Sequence, residues 1–375
     1  MSMRKCTRSN SEWSDELLFH TGEDFYNDVI TSILEAHKSI YIEAHYFDEK
    51  YLGRKIVKAL LSALERNIDV YLILDGVSPL SKKNSLLKKL LDIKGAHIRV
   101  FNPLPWRSLS LKNIVKLNQR THKKLILVDK ATAYVGSYNI DSRQLNFGKD
   151  AENWADCGVR VQGAPVKYML KVFWDTWNFC NHPYRKLKPI ESGPSNYPVR
   201  LNHHQSWRKF FLDDIIFKIN QAKGKVWITN PYFVPDQRMK EALLNAHKRG
   251  VNVVILIPQK SDLKLFPLIN FLFFKSLVTN GVKVFEYLPS ILHTKNIIID
   301  KWVMIGSSNL NSRSQKHDWE LDIVLTKKES IHELEARFHN DLKKSKQVRL
   351  IRIFKKFGII KTLASPLLLS SKYFL

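Results

Sequence analysis

The sequence repeats one set of reactive side chains in two distant segments. The segment THKKLILVDKATAYVGSYN covers residues 121–139, and LHTKNIIIDKWVMIGSSN covers residues 292–309. Both keep His, Lys, Asp, Gly-Ser and Asn in the same order, while the apolar residues between them differ. The two sets are His122, Lys124, Asp129, Gly136, Ser137 and Asn139, and His293, Lys295, Asp300, Gly306, Ser307 and Asn309. Two complete copies argue against a chance surface pattern.

The residue types in each set suit chemistry on a phosphate ester. Lys and Asn donate hydrogen bonds to phosphate oxygens, and Ser and the backbone near the glycine add further donors. His supplies a nitrogen that can attack or exchange a proton near neutral pH. Each His is coupled to a Lys, whose permanent positive charge would repel a metal, and no H-x-x-x-H motif or Cys cluster occurs. The sequence therefore predicts neither a metal nor another cofactor.

Each histidine needs a group that orients it, and the strand after each repeated segment offers an acid. Asp156 in DCGVRV and Glu320 in ELDIVL stand at matching positions. Either carboxylate can accept the second ring N–H of a histidine and stabilise its cationic or phosphorylated form. Glu152 and Asp322 are the competing assignments.

Each repeated segment is predicted to fold as a β-hairpin. In the first copy we expect a two-residue turn at Lys130–Ala131, which places His122 opposite Asn139. In the second copy a three-residue turn, Asp300–Trp302, serves the same purpose. The polar residues then gather at the far end of each hairpin. The aspartate of each motif lies near the turn, too far along the strand to reach the same atom as His, and is interpreted as structural support.

The repeat extends over whole domains, because AHKSIYIEAHYF at 36–47 also aligns with AKGKVWITNPYF at 222–233. Apolar periodicity predicts helices and strands that alternate in both halves, which implies parallel β-α-β units with helices on both faces of a sheet. The predicted helices are 24–36, 52–65, 85–93, 210–219, 238–249 and 263–278, and the predicted strands are 39–44, 69–76, 97–101, 225–229, 251–257 and 282–287. We expect two similar α/β domains packed as a pseudo-dimer.

A proline-rich stretch divides the two halves. The segment NHPYRKLKPIESGPSNYPV contains four prolines and reads as a linker. The predicted organisation is an N-terminal extension at 1–16, a first repeat at 17–180, the linker at 181–199, a second repeat at 200–341 and a basic tail at 342–375.

Composition limits the partners and the compartment. The formal charge is +25, from 60 Lys and Arg against 35 Asp and Glu, so both nucleic acid and anionic lipid are compatible partners. Three cysteines without a C-x-x-C pair fit a reducing compartment. The first twenty residues contain no apolar signal sequence, and polar residues interrupt the most apolar run, from Leu263. We therefore expect no transmembrane helix.

The repeated motif resembles that of the phospholipase D superfamily, in which H-x-K-x4-D followed by G-S-x-N occurs twice in one chain. The resemblance implies two α-β-α sandwich domains with one active site between them. It also implies that one histidine attacks phosphorus to give a phosphohistidine, while the other protonates the departing alcohol. On this basis His122 is assigned as the nucleophile and His293 as the acid. The Lys and Asn pairs would hold the nonbridging oxygens.

Within that superfamily the chain is most similar to the bacterial cardiolipin synthases of the short type, which lack N-terminal transmembrane helices. Tyr46-Phe47, the segment PYFVPD at 231–236 and the basic segment before His122 carry this resemblance. It implies transfer of a phosphatidyl unit to phosphatidylglycerol with release of a small alcohol. Gly136-Ser137 departs from the Gly-Gly often found there. A metal-independent nuclease and a hydrolytic phospholipase D are the alternatives, and a noncatalytic scaffold agrees least with the sequence because both copies of the motif are complete.

Two segments bear on the substrate. The first half carries an insertion between Pro105 and His122 that the second half lacks, and it is interpreted as a lid, a contact for an anionic headgroup, or a solvated loop. Its candidate residues are Trp106, Arg107, Lys112, Lys116 and Arg120. The phenylalanines of the 263–278 helix fit core packing better than contact with acyl chains.

The C-terminal segment predicts where the protein acts. After Asp341 the chain has no acidic residue, and lysines and arginines alternate with apolar residues. Such a basic amphipathic segment is typical of a membrane-surface anchor. We therefore expect a peripheral protein on the cytoplasmic face of the cell membrane, with anionic phospholipid favoured over nucleic acid as the partner. The sequence does not predict the oligomeric state.

Overall fold

Two mixed β-sheets with the same plan form the framework of the protein. The computed structural model describes residues 12–79, 90, 93–103, 118–181, 197–203, 205–262 and 266–349. The strands of the first sheet are β1 (Asp15–Phe19), β2 (Ser39–Ala44), β3 (Asp69–Asp75), β4 (Ala96–Phe101), β5 (Lys124–Val128), β6 (Thr132–Gly136) and β7 (Gly158–Gln162). The strands of the second are β8 (Val199–Leu201), β9 (Lys225–Thr229), β10 (Asn252–Pro258), β11 (Lys283–Tyr287), β12 (Asn296–Ile299), β13 (Trp302–Gly306), β14 (Leu321–Leu325) and β15 (Ser345–Gln347).

Helices connect the strands in both halves at matching places. They are α1 (Gly22–Leu34), α2 (Tyr51–Glu65), α3 (Val166–Asn181), α4 (Gln205–Gln221), α5 (Gln237–Lys248), α6 (Phe266–Thr279), α7 (Ser312–Lys316) and α8 (Lys328–Lys343). The predicted helix at 85–93 lies outside the described residues except for its positions 90 and 93. The other predicted helices and strands are confirmed, with ends shifted by a few residues.

The order of strands shows that the two halves are structural repeats. The first sheet runs β1-β7-β6-β5-β2-β3-β4 and the second runs β15-β11-β10-β9-β12-β13-β14-β8. In each half the three strands of the β-α-β units are parallel, whereas the repeated hairpin and the strand after it pair antiparallel. The prediction of two similar α/β domains is confirmed. The sheets are mixed rather than parallel because a hairpin reverses the chain direction without a crossover helix.

The strands separate two hydrophobic layers by their period of two. Ile40 and Ile42 belong to the buried cluster that includes Val29 of α1 and Ile56 of α2, on the outer face of the first sheet. Tyr41, between them, belongs to a different cluster on the inner face. Alternate side chains of a strand point to opposite faces, so one short apolar run serves both layers.

The inner faces of the two sheets share one hydrophobic core. It contains side chains of α3, such as Phe173, and of α8, such as Phe338, together with strand residues of both sheets. The Phe179 and Trp319 rings, one from each half, lie with their centroids 4.7 Å apart. The two halves are therefore joined through apolar packing as well as through the site described below.

The structure moves three of the predicted domain boundaries. Trp13, placed in the N-terminal extension, is 1% exposed in the shared core, and β1 starts at Asp15. The linker prediction is too long at both ends, since α3 reaches Asn181 and β8 begins at Val199, while 182–196 lie outside the described residues. The second repeat continues past residue 341, because β15 pairs with β11 and Val348 is buried.

The predicted hairpin turns are wrong by one residue in both copies. In the structure Val128 pairs with Thr132, which leaves a three-residue turn, and Ile299 pairs with Trp302, which leaves a two-residue turn. The turn of the first copy still accommodates the extra residue, but it begins at Asp129 and not at Lys130. Asp129 adopts φ 53° and starts the turn in the left-handed region, which Asp tolerates better than most residues.

The motif aspartates tie each hairpin to the start of the neighbouring strand. The Asp129 carboxylate accepts hydrogen bonds from the backbone N–H groups of 37–39, and Asp300 accepts them from 223–225. Neither carboxylate lies at the polar end of its hairpin. Glycine is required in the motif for a different reason. A Cβ on Gly306 would lie 2.6 Å from the Leu321 carbonyl oxygen, so only glycine lets β14 approach this closely.

We expect Asp300→Ala to lower the free energy of unfolding by about 2 kcal/mol, because three backbone N–H groups lose a charged acceptor. Asp300→Asn should cost less, since one acceptor oxygen remains. Urea denaturation followed by tryptophan fluorescence measures both. The matched control is Asp213→Ala, which removes an exposed ion pair with Arg238 and should change stability by under ~0.5 kcal/mol. Equal losses at the two positions would contradict the assigned role of Asp300.

Candidate active site

The two motif histidines lie where the halves meet, and backbone hydrogen bonds between the halves fix them there. The His122 N–H donates to the Trp319 carbonyl at 2.8 Å, and the Trp319 N–H donates to the Arg120 carbonyl at 2.8 Å. In the same way the His293 N–H donates to the Ala155 carbonyl, and the Ala155 N–H to the Ile291 carbonyl, each at 2.8 Å. Each histidine is thus bound, through its backbone, to the segment of the other half that carries an acid.

The acids are exchanged between the halves. His122 Nδ1 lies 2.9 Å from Glu320 Oε2, and His293 Nδ1 lies 2.7 Å from Asp156 Oδ2. Because an ionised carboxylate only accepts hydrogen bonds, this arrangement favours a proton on Nδ1 of each ring, and Nε2 is then the nitrogen left for chemistry. Nε2 of His293 lies 3.1 Å from Lys295 Nζ. The sequence predicted both acids but not which histidine each one contacts.

The competing acids have other partners. Glu152 accepts a hydrogen bond from the Trp154 indole at 2.8 Å. Asp322 accepts one from the Ser308 N–H at 3.0 Å. Neither is recorded in contact with a histidine, so the structure favours Asp156 and Glu320 as the orienting groups.

The motif serines hold the acids. Ser307 Oγ donates to Glu320 Oε2 at 2.6 Å, and Ser137 Oγ donates to Asp156. Both serines are fully buried. The expectation that their hydroxyl groups bind phosphate directly is therefore replaced by an indirect role, in which each serine fixes the carboxylate that fixes a histidine of the other half.

Two further residues support the acids and were missed in the sequence. Gln144 Nε2 donates to Asp156 Oδ2 at 2.8 Å, and Ser314 Oγ donates to Glu320 Oε1. The same two side chains accept hydrogen bonds from the backbone N–H groups of Asn139 and Asn309, respectively. Their equal spacing after each motif asparagine was the available signal, but Gln and Ser differ too much in type for the pattern to stand out.

The motif lysines lie side by side with the histidines. Lys124 Nζ donates to the His122 carbonyl at 2.8 Å, and Lys295 Nζ donates to the His293 carbonyl at 2.7 Å. Burial, followed by the positive charge of Lys295, lowers the pKa of Lys124, and burial lowers the pKa of Lys295 to about 8. Two buried ammonium groups this close repel one another, and the negative charge of a phosphodiester between them would offset that repulsion.

A cavity of about 290 Å³ opens between the two histidines. Its walls combine side chains of both halves: His45, Tyr46, His122, Asn139, Arg143, Trp154, Tyr232, Asp262, His293, Asn309, Asn311, Arg313 and Asp318. The side-chain oxygens of Asn139 and Asn309 are buried without a recorded hydrogen-bond partner. The two asparagines therefore stand in matching positions at the wall, where their amide groups can contact a ligand.

The two histidines differ in their electrostatic surroundings. Burial, Lys124 and Lys295 hold the pKa of His122 well below 6.5. Burial and Lys295 also lower the pKa of His293, but the Asp156 carboxylate opposes this change. Although burial disfavours its charge, Asp156 has a lowered pKa because of His293 and nearby donors, whereas burial raises the pKa of Glu320 to about 7. The pKa of His122 is thus lowered further than that of His293.

The structure corrects one residue of the predicted substrate contacts. Arg120 is 2% exposed and its guanidinium lies 3.3 Å from the Asp75 carboxylate, so it anchors the end of the insertion instead of facing a headgroup. The rest of the insertion falls within 104–117, outside the described residues. On α6, Phe274 is fully buried in the core of the second half, as the core interpretation predicted.

Across the described ranges, no cluster of three or more His, Cys, Asp or Glu side chains could hold a metal ion. A search of the same ranges also found no helix with the length and apolar character needed to cross a membrane.

Comparison with known proteins places the chain in a family. The family described as "Cardiolipin synthase, PLD-like domain" matches residues 29–177 and 215–342, which contain both copies of the site. The chain belongs to this family, within the phospholipase D superfamily that the repeated motif resembles.

Individual relatives agree with that placement, and a solved structure shares the fold. Cardiolipin synthase of Clostridium perfringens (strain SM101) is 27% identical over 98% of this chain and 78% of its own length. Cardiolipin synthase 1 of Staphylococcus aureus (strain MRSA252) is 29% identical over 88% of this chain and 68% of its own. The crystal structure of phosphatidylserine synthase from Haemophilus influenzae has the same fold, with a TM-score of 0.69 and 13% identity over 97% of this chain and 96% of that chain.

We expect Asp156→Asn to lower the pKa of His293, because the substitution removes the negative charge that favours the imidazolium while keeping a side chain of the same shape. Titration of the histidine side chains by ¹H–¹⁵N NMR measures this change. Asp175→Asn, at a carboxylate of α3 with no recorded hydrogen bond to a histidine, is the matched control. An unchanged His293 titration in Asp156→Asn would contradict the pairing.

Proposed function

We propose that the protein is a phosphatidyltransferase that makes cardiolipin from two molecules of phosphatidylglycerol, with release of glycerol. The observation that carries the proposal is the pair of histidines in one cavity, each oriented through Nδ1 by an acid of the other half. Two such groups can perform the two tasks of phosphodiester exchange, namely attack on phosphorus and proton transfer to the departing oxygen.

In the first step, Nε2 of His122 forms a bond to phosphorus while the bond from phosphorus to the glycerol headgroup oxygen breaks. His293 gives its Nε2 proton to that oxygen, and glycerol departs. The positive charge that develops on the His122 ring is stabilised by Glu320, 2.9 Å from Nδ1. The lower pKa of His122 favours the neutral ring that attack requires, and the Asp156 carboxylate favours the protonated His293.

In the second step the roles reverse. His293, now neutral, takes the proton from a headgroup hydroxyl of a second phosphatidylglycerol, whose oxygen attacks phosphorus. The bond between phosphorus and His122 breaks, and cardiolipin is released with both histidines in their starting states. Through both steps Lys124, Lys295 and the two cavity asparagines hold the nonbridging oxygens, where negative charge grows in the transition state.

Two features support a lipid substrate over nucleic acid. Proteins similar over most of the chain bear the name cardiolipin synthase. The segment after residue 349, which lies outside the described residues, is rich in Lys and Arg interleaved with apolar residues. A hydrolytic phospholipase D and a metal-independent nuclease use the same chemistry, so they are separated by experiment.

Purified protein should convert phosphatidylglycerol vesicles into cardiolipin and glycerol in the presence of EDTA. Thin-layer chromatography and mass spectrometry measure the products, and single-stranded DNA is offered in a parallel reaction. We expect His122→Ala and His293→Ala each to lower the rate by at least ~10³-fold, because they remove the nucleophile and the acid. Phosphatidic acid as the main product would replace the proposal with hydrolysis, and cut DNA would replace it with a nuclease.

We also propose that the protein acts at the cytoplasmic face of the cell membrane and binds there through its basic C-terminal segment. Removal of residues 350–375 leaves β15 in place and takes away much of the positive charge after α8. The shortened protein should sediment at least ~10-fold less with vesicles of phosphatidylglycerol than the full chain. Vesicles of phosphatidylcholine are the control. Equal sedimentation of both proteins with anionic vesicles would refute the role of this segment.

A further inference from the structure

The two halves supply equivalent reactive groups to the cavity, but their wall residues differ. Tyr46 and Tyr232 occupy matching positions, as do Arg143 and Arg313. Trp154, in contrast, matches Asp318 two residues before each acid. A symmetric pair of histidines therefore faces an asymmetric cavity. The wall residues that differ between the halves can distinguish the two sides of a bound phosphodiester.

Asp262 is a carboxylate of the wall that the proposed reaction has not used. It lies in the segment that follows β10, and Tyr232 Oη donates to Asp262 Oδ1 at 2.5 Å. Burial and, to a smaller extent, the negative charge of Asp262 hold the pKa of Tyr232 well above 10. The phenol therefore keeps its proton and fixes the carboxylate. Asp262 and Tyr232 will be called the carboxylate–phenol pair.

The carboxylate–phenol pair lies on the His293 side of the cavity. β9 ends three residues before Tyr232 and pairs with β12, which begins three residues after His293, and Asp262 contacts Tyr232 directly. In agreement, the charge of Asp262 raises the pKa of His293 and of Lys295 and is not among the main influences on the pKa of His122. In an in-line displacement the departing oxygen is opposite the attacking nitrogen. With His122 as the nucleophile, the alcohol that leaves or enters is on the His293 side, next to the pair.

We propose that Asp262 and Tyr232 form the subsite that binds the additional hydroxyl groups of the alcohol in both steps, and that this subsite selects a neutral polyol such as the glycerol headgroup. The inference rests on the proposed function, because it assumes that an alcohol enters and leaves on the side of His293. It adds to that function the residues that make the alcohol preferred over water or a simple alcohol.

The charges of this wall fit a neutral polyol better than a charged headgroup. The Asp262 carboxylate can accept several hydrogen bonds from hydroxyl groups and would repel an anionic headgroup. Arg143 lies on the same side, because its guanidinium carbon is 5.0 Å from the ring centre of Trp154, whose ring lies 5.4 Å from that of His293. Nε and Nη2 of Arg143 are paired with the Asp141 carboxylate, and its remaining N–H groups can donate to a hydroxyl group. A diol both donates and accepts, so it can satisfy the two groups together.

The test separates the formation of the phosphohistidine from its transfer. Vesicles containing phosphatidyl-p-nitrophenol supply a donor whose leaving group carries no extra hydroxyl, so p-nitrophenolate release reports the first step alone. Glycerol, 1-propanol, ethanolamine and water then compete for the intermediate, and mass spectrometry gives the partition among their phosphatidyl products. In Asp262→Asn and Tyr232→Phe we expect the preference for glycerol over 1-propanol to fall by ~10-fold. This preference is measured among intermediates that have already formed, so a change in the rate of p-nitrophenolate release does not enter it.

Two control variants make the result specific. Asp213→Asn removes a surface carboxylate of the same half, paired with Arg238, and should leave both measurements unchanged. Tyr46→Phe removes the matching phenol of the first half, whose ring lies 5.7 Å from the Arg143 guanidinium carbon, and should lower the glycerol preference less than Tyr232→Phe does. An equal loss in Tyr46→Phe and Tyr232→Phe would overturn the assignment of the alcohol to the His293 side.

The remaining outcomes are also decisive. If Asp262→Asn and Tyr232→Phe keep the glycerol preference of the parent protein, or if both abolish p-nitrophenolate release, the subsite is wrong. Loss of ethanolamine transfer with glycerol transfer intact would assign the subsite to ammonium headgroups and overturn the polyol. Failure of the parent protein itself to release p-nitrophenolate would instead refute the proposed function, and the subsite with it.

Discussion

The site depends on the exchange of carboxylates between the two halves. His122 is oriented by Glu320 and His293 by Asp156, at 2.9 and 2.7 Å, so neither half contains a complete histidine–acid pair. The backbone follows the same exchange, since each histidine N–H donates to the other half one residue before the acid. A displacement of one half against the other would break both pairs together, so the alignment of the domains is a condition for the chemistry.

Charged side chains are buried where the two halves meet, and their burial costs free energy that the shared core has to offset. Asp156, Glu320 and Lys295 are almost completely buried, and an unpaired buried charge would be strongly destabilising. Hydrogen bonds from serine, glutamine and backbone groups satisfy the carboxylates, while aromatic contacts between the halves, such as Phe179 with Trp319, add apolar packing. The buried carboxylates are tolerated because each has several donors.

Much of the fold and of the site could be predicted from the sequence, because the signals were repeated and chemically specific. Apolar periodicity located the strands and helices, and the duplicated motif located both histidines and both acids. The exchange could not be predicted, since Asp156 is as close in sequence pattern to His122 as to His293, and only contact between the halves decides. The predicted turns were misplaced because Asp129 adopts a left-handed backbone conformation. Aspartate tolerates this conformation, but its presence in a sequence does not predict it.

The repeat also explains how nearly equal copies can perform unequal tasks. Each histidine is hydrogen-bonded to a buried carboxylate. Asp156 keeps its charge, whereas burial raises the pKa of Glu320 to about 7. The carboxylate that remains charged favours the imidazolium at His293, and the lysines disfavour it at His122. The proposed division between nucleophile and acid agrees with these surroundings, since the motif itself is the same in both halves. The pKa of a buried group depends strongly on neighbouring charges. Small differences between the wall residues of the two halves therefore suffice to give the two histidines different roles.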